Sequence, residues 1–122
     1  MTQVETLVAD TAKLELAARR IRRNILTMAQ GKGEGYVGQG LDAADIFSVV
    51  YFREMRYRSN EPDWPLRDRF LLSTGHYSIV LFAALAEIGV LSHDELVTYG
   101  ADGSRLEMSA CESTPGDRKS VV

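Results

Sequence analysis

Arg69-Phe70-Leu71-Leu72-Ser73-Thr74-Gly75-His76 is a short apolar run closed by a turn, and behind it Tyr77 to Ile88 is almost wholly apolar. A brief hydrophobic run bounded by glycine reads as a buried strand, and the longer run as a helix. The apolar residues of that helix lie on every side of the cylinder, so it is predicted to sit inside the structure, with Gly89 as its C-terminal cap. A strand leading into a helix through a tight turn is the building unit of α/β folds, and His76 stands at the junction. Ligand groups gather at such places because a helix N-terminus offers unpaired N–H groups and a dipole that favours anions. His76 is therefore read in two ways, as a donor to a phosphate oxygen or as a loop and capping histidine.

Upstream, Leu7, Leu14, Ala17, Ala18, Ile21, Ile25 and Met28 recur at spacings of three and four, which predicts one long amphipathic helix from about Val4 to Gln30. Its other side carries Arg19, Arg20, Arg22 and Arg23, and with no aromatic residue interleaved for base stacking this is a solvated face. Gly31 to Gly40 holds five glycines and is predicted to be a loop, because each glycine inside a helix costs about 1 kcal/mol relative to alanine. Asp42 is then the candidate N-cap of a second helix running to about Glu54, and the polar stretch Arg56 to Leu66 is a surface connection.

Downstream, Ser92-His93-Asp94-Glu95 has the S-x-x-E pattern of a capping box and opens a short fourth helix ending near Tyr99-Gly100. His93 lies on that exposed turn. From Ala101 the periodicity disappears, so 101–122 reads as an irregular tail behind a single domain at 1–100. One strand among four helices leaves its backbone donors and acceptors unpaired, an inventory that points to part of a larger fold.

Composition narrows the function. Fourteen basic against seventeen acidic residues give a net charge of −3, so no global field draws the chain to nucleic acid or to an anionic membrane. The longest apolar run, Ile79 to Ile88, is about half of what a bilayer needs. A lone cysteine, Cys111, excludes an internal disulfide, and no Cys/His cluster offers a structural zinc site, so a cytoplasmic location is expected. No G-x-S-x-G elbow is present, and Cys111 has no histidine near it in sequence. Gly33-Glu34-Gly35-Tyr36-Val37-Gly38 matches G-x-G-x-x-G, yet it follows a helix where a dinucleotide fingerprint must follow a strand. It remains either a connector or a loop that lets a ligand come close.

Three stretches together resemble a known family: Ala17-Ala18-Arg19-Arg20-Ile21-Arg22-Arg23, Gly35-Tyr36-Val37-Gly38-Gln39-Gly40-Leu41-Asp42-Ala43-Ala44-Asp45-Ile46, and Arg67-Asp68-Arg69-Phe70-Leu71-Leu72-Ser73-Thr74-Gly75-His76. Ala83-Ala84-Leu85-Ala86-Glu87 and Gly103-Ser104-Arg105-Leu106-Glu107 extend the match in register, from about residue 10 to 116. They are similar to the start of the thiamine-diphosphate domain of the transketolase family, in particular its split bacterial forms, in which two chains share the work. The resemblance implies an α/β fold, the N-terminal portion of a thiamine-diphosphate-binding domain of the PP type, mostly helical with one short strand. It also implies transfer of two-carbon ketol units between sugar phosphates, with thiamine diphosphate and Mg²⁺ as cofactors, in a homo- or hetero-oligomer with a complementary transketolase subunit.

Carried over residue by residue, His76 resembles the family histidine that approaches the diphosphate, and Gly75 and Ser78 complete that G-H-x-S match as cofactor-binding positions. Where the family has a histidine in the glycine loop, Tyr36 stands instead. A phenol does not take up a proton near neutral pH as an imidazole does, so no catalytic residue carries over there. A further family histidine, in a G-H-P pattern near Ser109-Ala110, is replaced as well. The family's G-D-G…N metal motif has no counterpart: Asn24 and Asn60 are the chain's asparagines and both lie upstream. Metal-dependent cofactor binding by the chain alone would direct the search for ligands to Asp102, Glu107 and Glu112. The expectation is thus a transketolase-like fragment inactive alone, or alternatively a catalytically silent module that associates with a transketolase-like chain.

Overall fold

The computed structural model describes residues 3–109. The Leu7 side chain and the run 110–122, with Cys111 and Glu112, lie outside the described part. Among the described residues there are four α-helices: α1 (Gln3–Lys32), α2 (Val37–Val49), α3 (Ser78–Glu87) and α4 (His93–Leu96). A π-turn, Val50–Glu54, prolongs α2, and a 3₁₀ turn, Gly75–Tyr77, precedes α3. The mostly helical character matches the reading of the sequence.

The predicted strand at Arg69–Ser73 does not form: among the described residues there is no strand at all. A ladder needs a neighbour, and among the described residues no second strand is present to receive its hydrogen bonds. What survives is the pattern of burial, Phe70 half-buried, Leu71 exposed and Leu72 buried. The segment is tied instead at its start, where Arg56 and Asp68 exchange bonds: the Asp68 amide donates to the Arg56 carbonyl, and the Arg56 amide to the Asp68 carboxylate, both at 2.7 Å. These contacts, the amide first, hold the Asp68 carboxyl below its ordinary pKa.

Helix α1 buries the stripe Ala17, Ala18, Ile21, Ile25 and Met28, as its periodicity predicts. Helix α3 is covered on all sides, with every residue from Ser78 to Ala86 buried. Ile79 to Leu85 are packed by α1, α2 and α4. Gly89 follows α3 at φ 88°, with the Val90 and Leu91 amides closing onto the Leu85 carbonyl, so its capping role is realised. Ser92 accepts from the Glu95 amide at 3.2 Å, the first half of the capping box. Glu95 does not return the bond but takes Arg105 with both carboxylate oxygens, which lowers its pKa.

The glycine-rich segment is the largest correction. Its loop shrinks to the residues between Lys32 and Val37, because α1 runs on to Lys32 before Gly33 (φ 82°) ends it, and α2 starts at Val37. Asp42 is then mid-helix and exposed, and the N-cap is Tyr36, whose side chain makes no capping bond. Glycine is tolerated inside α2 because it lets helices touch. A Cβ at Gly40 would lie 2.9 Å from Ile79 Cγ2 and 3.2 Å from Ile25 Cδ1. Gly40→Val is therefore expected to destabilise the chain by about 1–3 kcal/mol, the cost of overpacking a close crossing. Gly38→Ala, with nothing within 4 Å of the added carbon, should instead stabilise by about 0.4–1 kcal/mol. Urea unfolding of the two variants checks both signs.

Candidate functional site

The loop between α1 and α2 and the 3₁₀ turn before α3 meet at one place. Tyr36, at the head of α2, presents its ring edge to His76, with centroids 4.9 Å apart and planes at 68°. The two positions singled out in separate parts of the sequence thus stand side by side. His76 is exposed, and Gly75, half-buried, removes side-chain bulk beside it. His76 occupies the turn that leads into the N-terminus of α3, where a bound anion meets the helix dipole.

Ser78 faces the other way. It is fully buried, and its hydroxyl donates to the Glu107 and Met108 carbonyls, both 2.9 Å away. Its part is to pin segment 107–108 to the head of α3. That segment is irregular, as expected beyond Gly100, but it is fastened: the Gly100 amide donates to the Leu106 carbonyl at 2.8 Å, and Leu106 is buried.

Two buried polar residues are not legible as such in the sequence, Tyr99 at this site and Asn24 away from it. Tyr99 lies beneath the glycine loop, where a Cβ at Gly35 would come within 3.4 Å of its ring and 3.7 Å of its hydroxyl. That hydroxyl is buried with no hydrogen-bond partner. Burial first, then the nearby Tyr36 and Glu34, push its pKa up to about 12, so it is neutral at any physiological pH. The other is Asn24, buried in α1, which donates to the Ala83 carbonyl at 3.0 Å and to Glu87 Oε2 at 3.3 Å and so locks α1 onto α3. A buried asparagine amid arginines carries no periodic signal of its own.

Other residues named from the sequence stay apart from this site. His93 is exposed and lies 3.8 Å from Glu87. Of the arginine face, Arg22 pairs with Asp45 through both oxygens and Arg20 lies 3.7 Å from Glu87. Among the described residues no group of three or more His, Cys, Asp or Glu is placed to hold a metal ion, Asp102 and Glu107 included. Nor is any described helix long and apolar enough to cross a membrane. A concavity of about 520 Å³, wide open, lies between Tyr51, Tyr57 and Trp64. Its arginines are already engaged, Arg56 with Asp68 and Arg58 with Glu61, the latter also over the Trp64 ring at 4.0 Å.

Comparison with known proteins shows the family to which the chain is similar. Residues 14–107 match the family described as "Transketolase, thiamine diphosphate binding domain". Over 110 residues the chain is 54% identical to the transketolase family protein y4mO of Sinorhizobium fredii, an alignment covering 89% of this chain and 39% of that protein. It is 36% identical over 101 residues to human transketolase, covering 80% of this chain and 16% of the relative. It is also 37% identical over 93 residues to the 6-deoxy-6-sulfo-D-fructose transketolase subunit SqwG of a Clostridium species, covering 76% of this chain and 34% of that subunit. The chain therefore spans between about a sixth and two fifths of the length of these relatives.

Proposed function

Since the chain belongs to the transketolase thiamine-diphosphate-binding family, we propose that it is a portion of a cytoplasmic transketolase-like enzyme that moves two-carbon ketol units between sugar phosphates. In this reading it acts with a complementary transketolase subunit, as its likeness to SqwG, a subunit of a 6-deoxy-6-sulfo-D-fructose transketolase, supports. The observation that carries it is His76, exposed at the entry to α3 and edge-on to Tyr36.

The residues present fit one end of the cofactor. An accessible imidazole N–H, a glycine that clears the approach and the head of α3 suit the oxygens of a diphosphate. They do not fit Mg²⁺, since among the described residues no group of three or more His, Cys, Asp or Glu is placed to hold it. Thiamine diphosphate, when bound, supplies the carbon nucleophile that lets the carbon–carbon bond be broken and remade. The chain's own residues have simpler tasks. His76 donates to a diphosphate oxygen, Gly75 keeps the approach open, and Ser78 holds segment 107–108 against the turn that carries His76.

The test is calorimetric titration of thiamine diphosphate, with Mg²⁺, into the assembly of this chain with a transketolase-type chain that contains the metal motif. His76→Ala should weaken binding by about 1.5–3 kcal/mol, the range for a hydrogen bond to a charged group. Unchanged affinity would remove His76 from the cofactor site. A second reading, a silent module that only associates with such a chain, is favoured by Tyr36 standing where the family has histidine. It would show partner binding with no ketol transfer by the assembly.

A further inference from the structure

The outer side of α2 is apolar at its centre, where contact with water favours polar residues. Its exposed positions, Asp42, Asp45, Ile46 and Val49, and then Phe52 and Arg53 in the π-turn, recur at spacings of three and four and form one continuous face. Three large apolar side chains stand in the middle, Ile46 64% exposed, Val49 37% and Phe52 41%. Single exposed apolar residues are ordinary, but a run of three along one helix face marks an interaction surface. The charges at its two ends say what covers it. Asp42 and Asp45 flank the stripe towards the start of α2, and Arg53 and Arg56 flank it at the other end. A face that is acidic at one end and basic at the other is complementary to itself when reversed, which is the relation a two-fold axis creates. An anionic membrane surface would call for basic residues along the whole face.

We propose that this face docks a second copy of the chain, the two α2 helices lying antiparallel about a two-fold axis at Val49. Counted outward from that axis, Ile46 meets the partner's Phe52, Asp45 meets the partner's Arg53, and Asp42 meets the partner's Arg56. Each of these contacts occurs twice, so charge pairs close both ends of an apolar centre. Phe52 is also a wall of the open concavity that Met55 and Trp64 line, and the partner's Ile46 comes to its rim. The charges are free to make these contacts. Arg53 lies 3.5 Å from Glu54 and Arg56 3.6 Å from Asp68, on side chains 53% and 81% exposed, and Asp45, which takes Arg22, is 71% exposed. Exposed pairs of this kind are weak, and a guanidinium has five N–H donors to share between carboxylates. The axis lies about 20 Å along the helix from Tyr36, at 1.5 Å of rise per residue, so the candidate cofactor site stays clear of the contact. The proposal rests on exposure and on the order of charges, not on the transketolase-like reading.

The experiment is sedimentation equilibrium of the 122-residue chain over a range of concentrations, with circular dichroism to show that each variant keeps its helices. The parent should follow a monomer–dimer equilibrium. Val49→Lys sets two like charges against each other on the axis and should leave a monomer. Asp45→Arg and Arg53→Asp each turn an attractive pair into a repulsive one and should raise the dimer Kd by at least about tenfold. The double variant Asp45→Arg/Arg53→Asp reverses both partners, so it should return the Kd to within a few-fold of the parent. That rescue distinguishes the antiparallel register from any contact in which the two residues do not meet, and it cannot arise from a failure to fold. A parent that stays monomeric, a dimer that survives Val49→Lys, or a double variant no tighter than the single ones overturns the proposal. Co-sedimentation of a monomeric parent with phosphatidylglycerol vesicles, lost in Val49→Lys, also overturns it and assigns the face to a membrane surface.

Discussion

Phe82→Ala is expected to destabilise the chain by about 3–5 kcal/mol, the range for truncating a buried aromatic ring. Phe82 is fully buried at the middle of α3, the helix that α1, α2 and α4 enclose. Its ring stands edge-on to Tyr99 with centroids 6.3 Å apart, so the truncation also loosens the floor of the candidate site. Against a total stability of about 5–15 kcal/mol, such a loss leaves a chain of this size marginal at 25 °C. Leu71→Ala is the control: Leu71 is 58% exposed, and its loss should stay within about 0.5 kcal/mol. Urea unfolding by circular dichroism measures both. A Phe82→Ala loss below about 1 kcal/mol would mean that α3 is not the centre of the core.

What the sequence made legible follows from how local each signal is. The buried α3 and its Gly89 cap, the stripe on α1 and the Ser92 cap rest on periodicity and short-range hydrogen bonding, and all are realised. The misreadings concern partners distant in the chain. Gly40 reads as a breaker because its reward lies in Ile25 of α1 and Ile79 of α3, neighbours that no local rule supplies. Phe70 to Leu72 reads as a strand because apolar runs of that length are strands when a neighbour exists, and none lies beside it among the described residues. The site was legible in part. His76 and Tyr36 carried the motif, but their contact, and Tyr99 beneath them, depend on how α2 and α3 meet.

The 122-residue chain by itself is expected to show no saturable, Mg²⁺-dependent binding of thiamine diphosphate at micromolar concentration and no ketol transfer. The magnitudes decide this. One charge-assisted hydrogen bond from His76 and the dipole of a ten-residue helix together supply about 2–5 kcal/mol, whereas a micromolar Kd needs about 8 kcal/mol. The shortfall corresponds to an affinity near or weaker than millimolar. Among the described residues no group of three or more His, Cys, Asp or Glu is placed to fix the divalent ion, whose charge dominates the electrostatics of a diphosphate site. Joining the chain to a transketolase-type subunit that carries the metal motif should therefore tighten binding by about a thousandfold, and Mg²⁺ should be required for the gain. Calorimetry on the purified chain, with and without that subunit, reads the difference directly. A preparation of His76→Ala made in parallel separates the chain's own activity from that of a contaminating host enzyme. Micromolar, Mg²⁺-dependent binding by the chain alone, abolished in that variant, would overturn this expectation and direct the search for metal ligands to Asp102, Glu107 and Glu112.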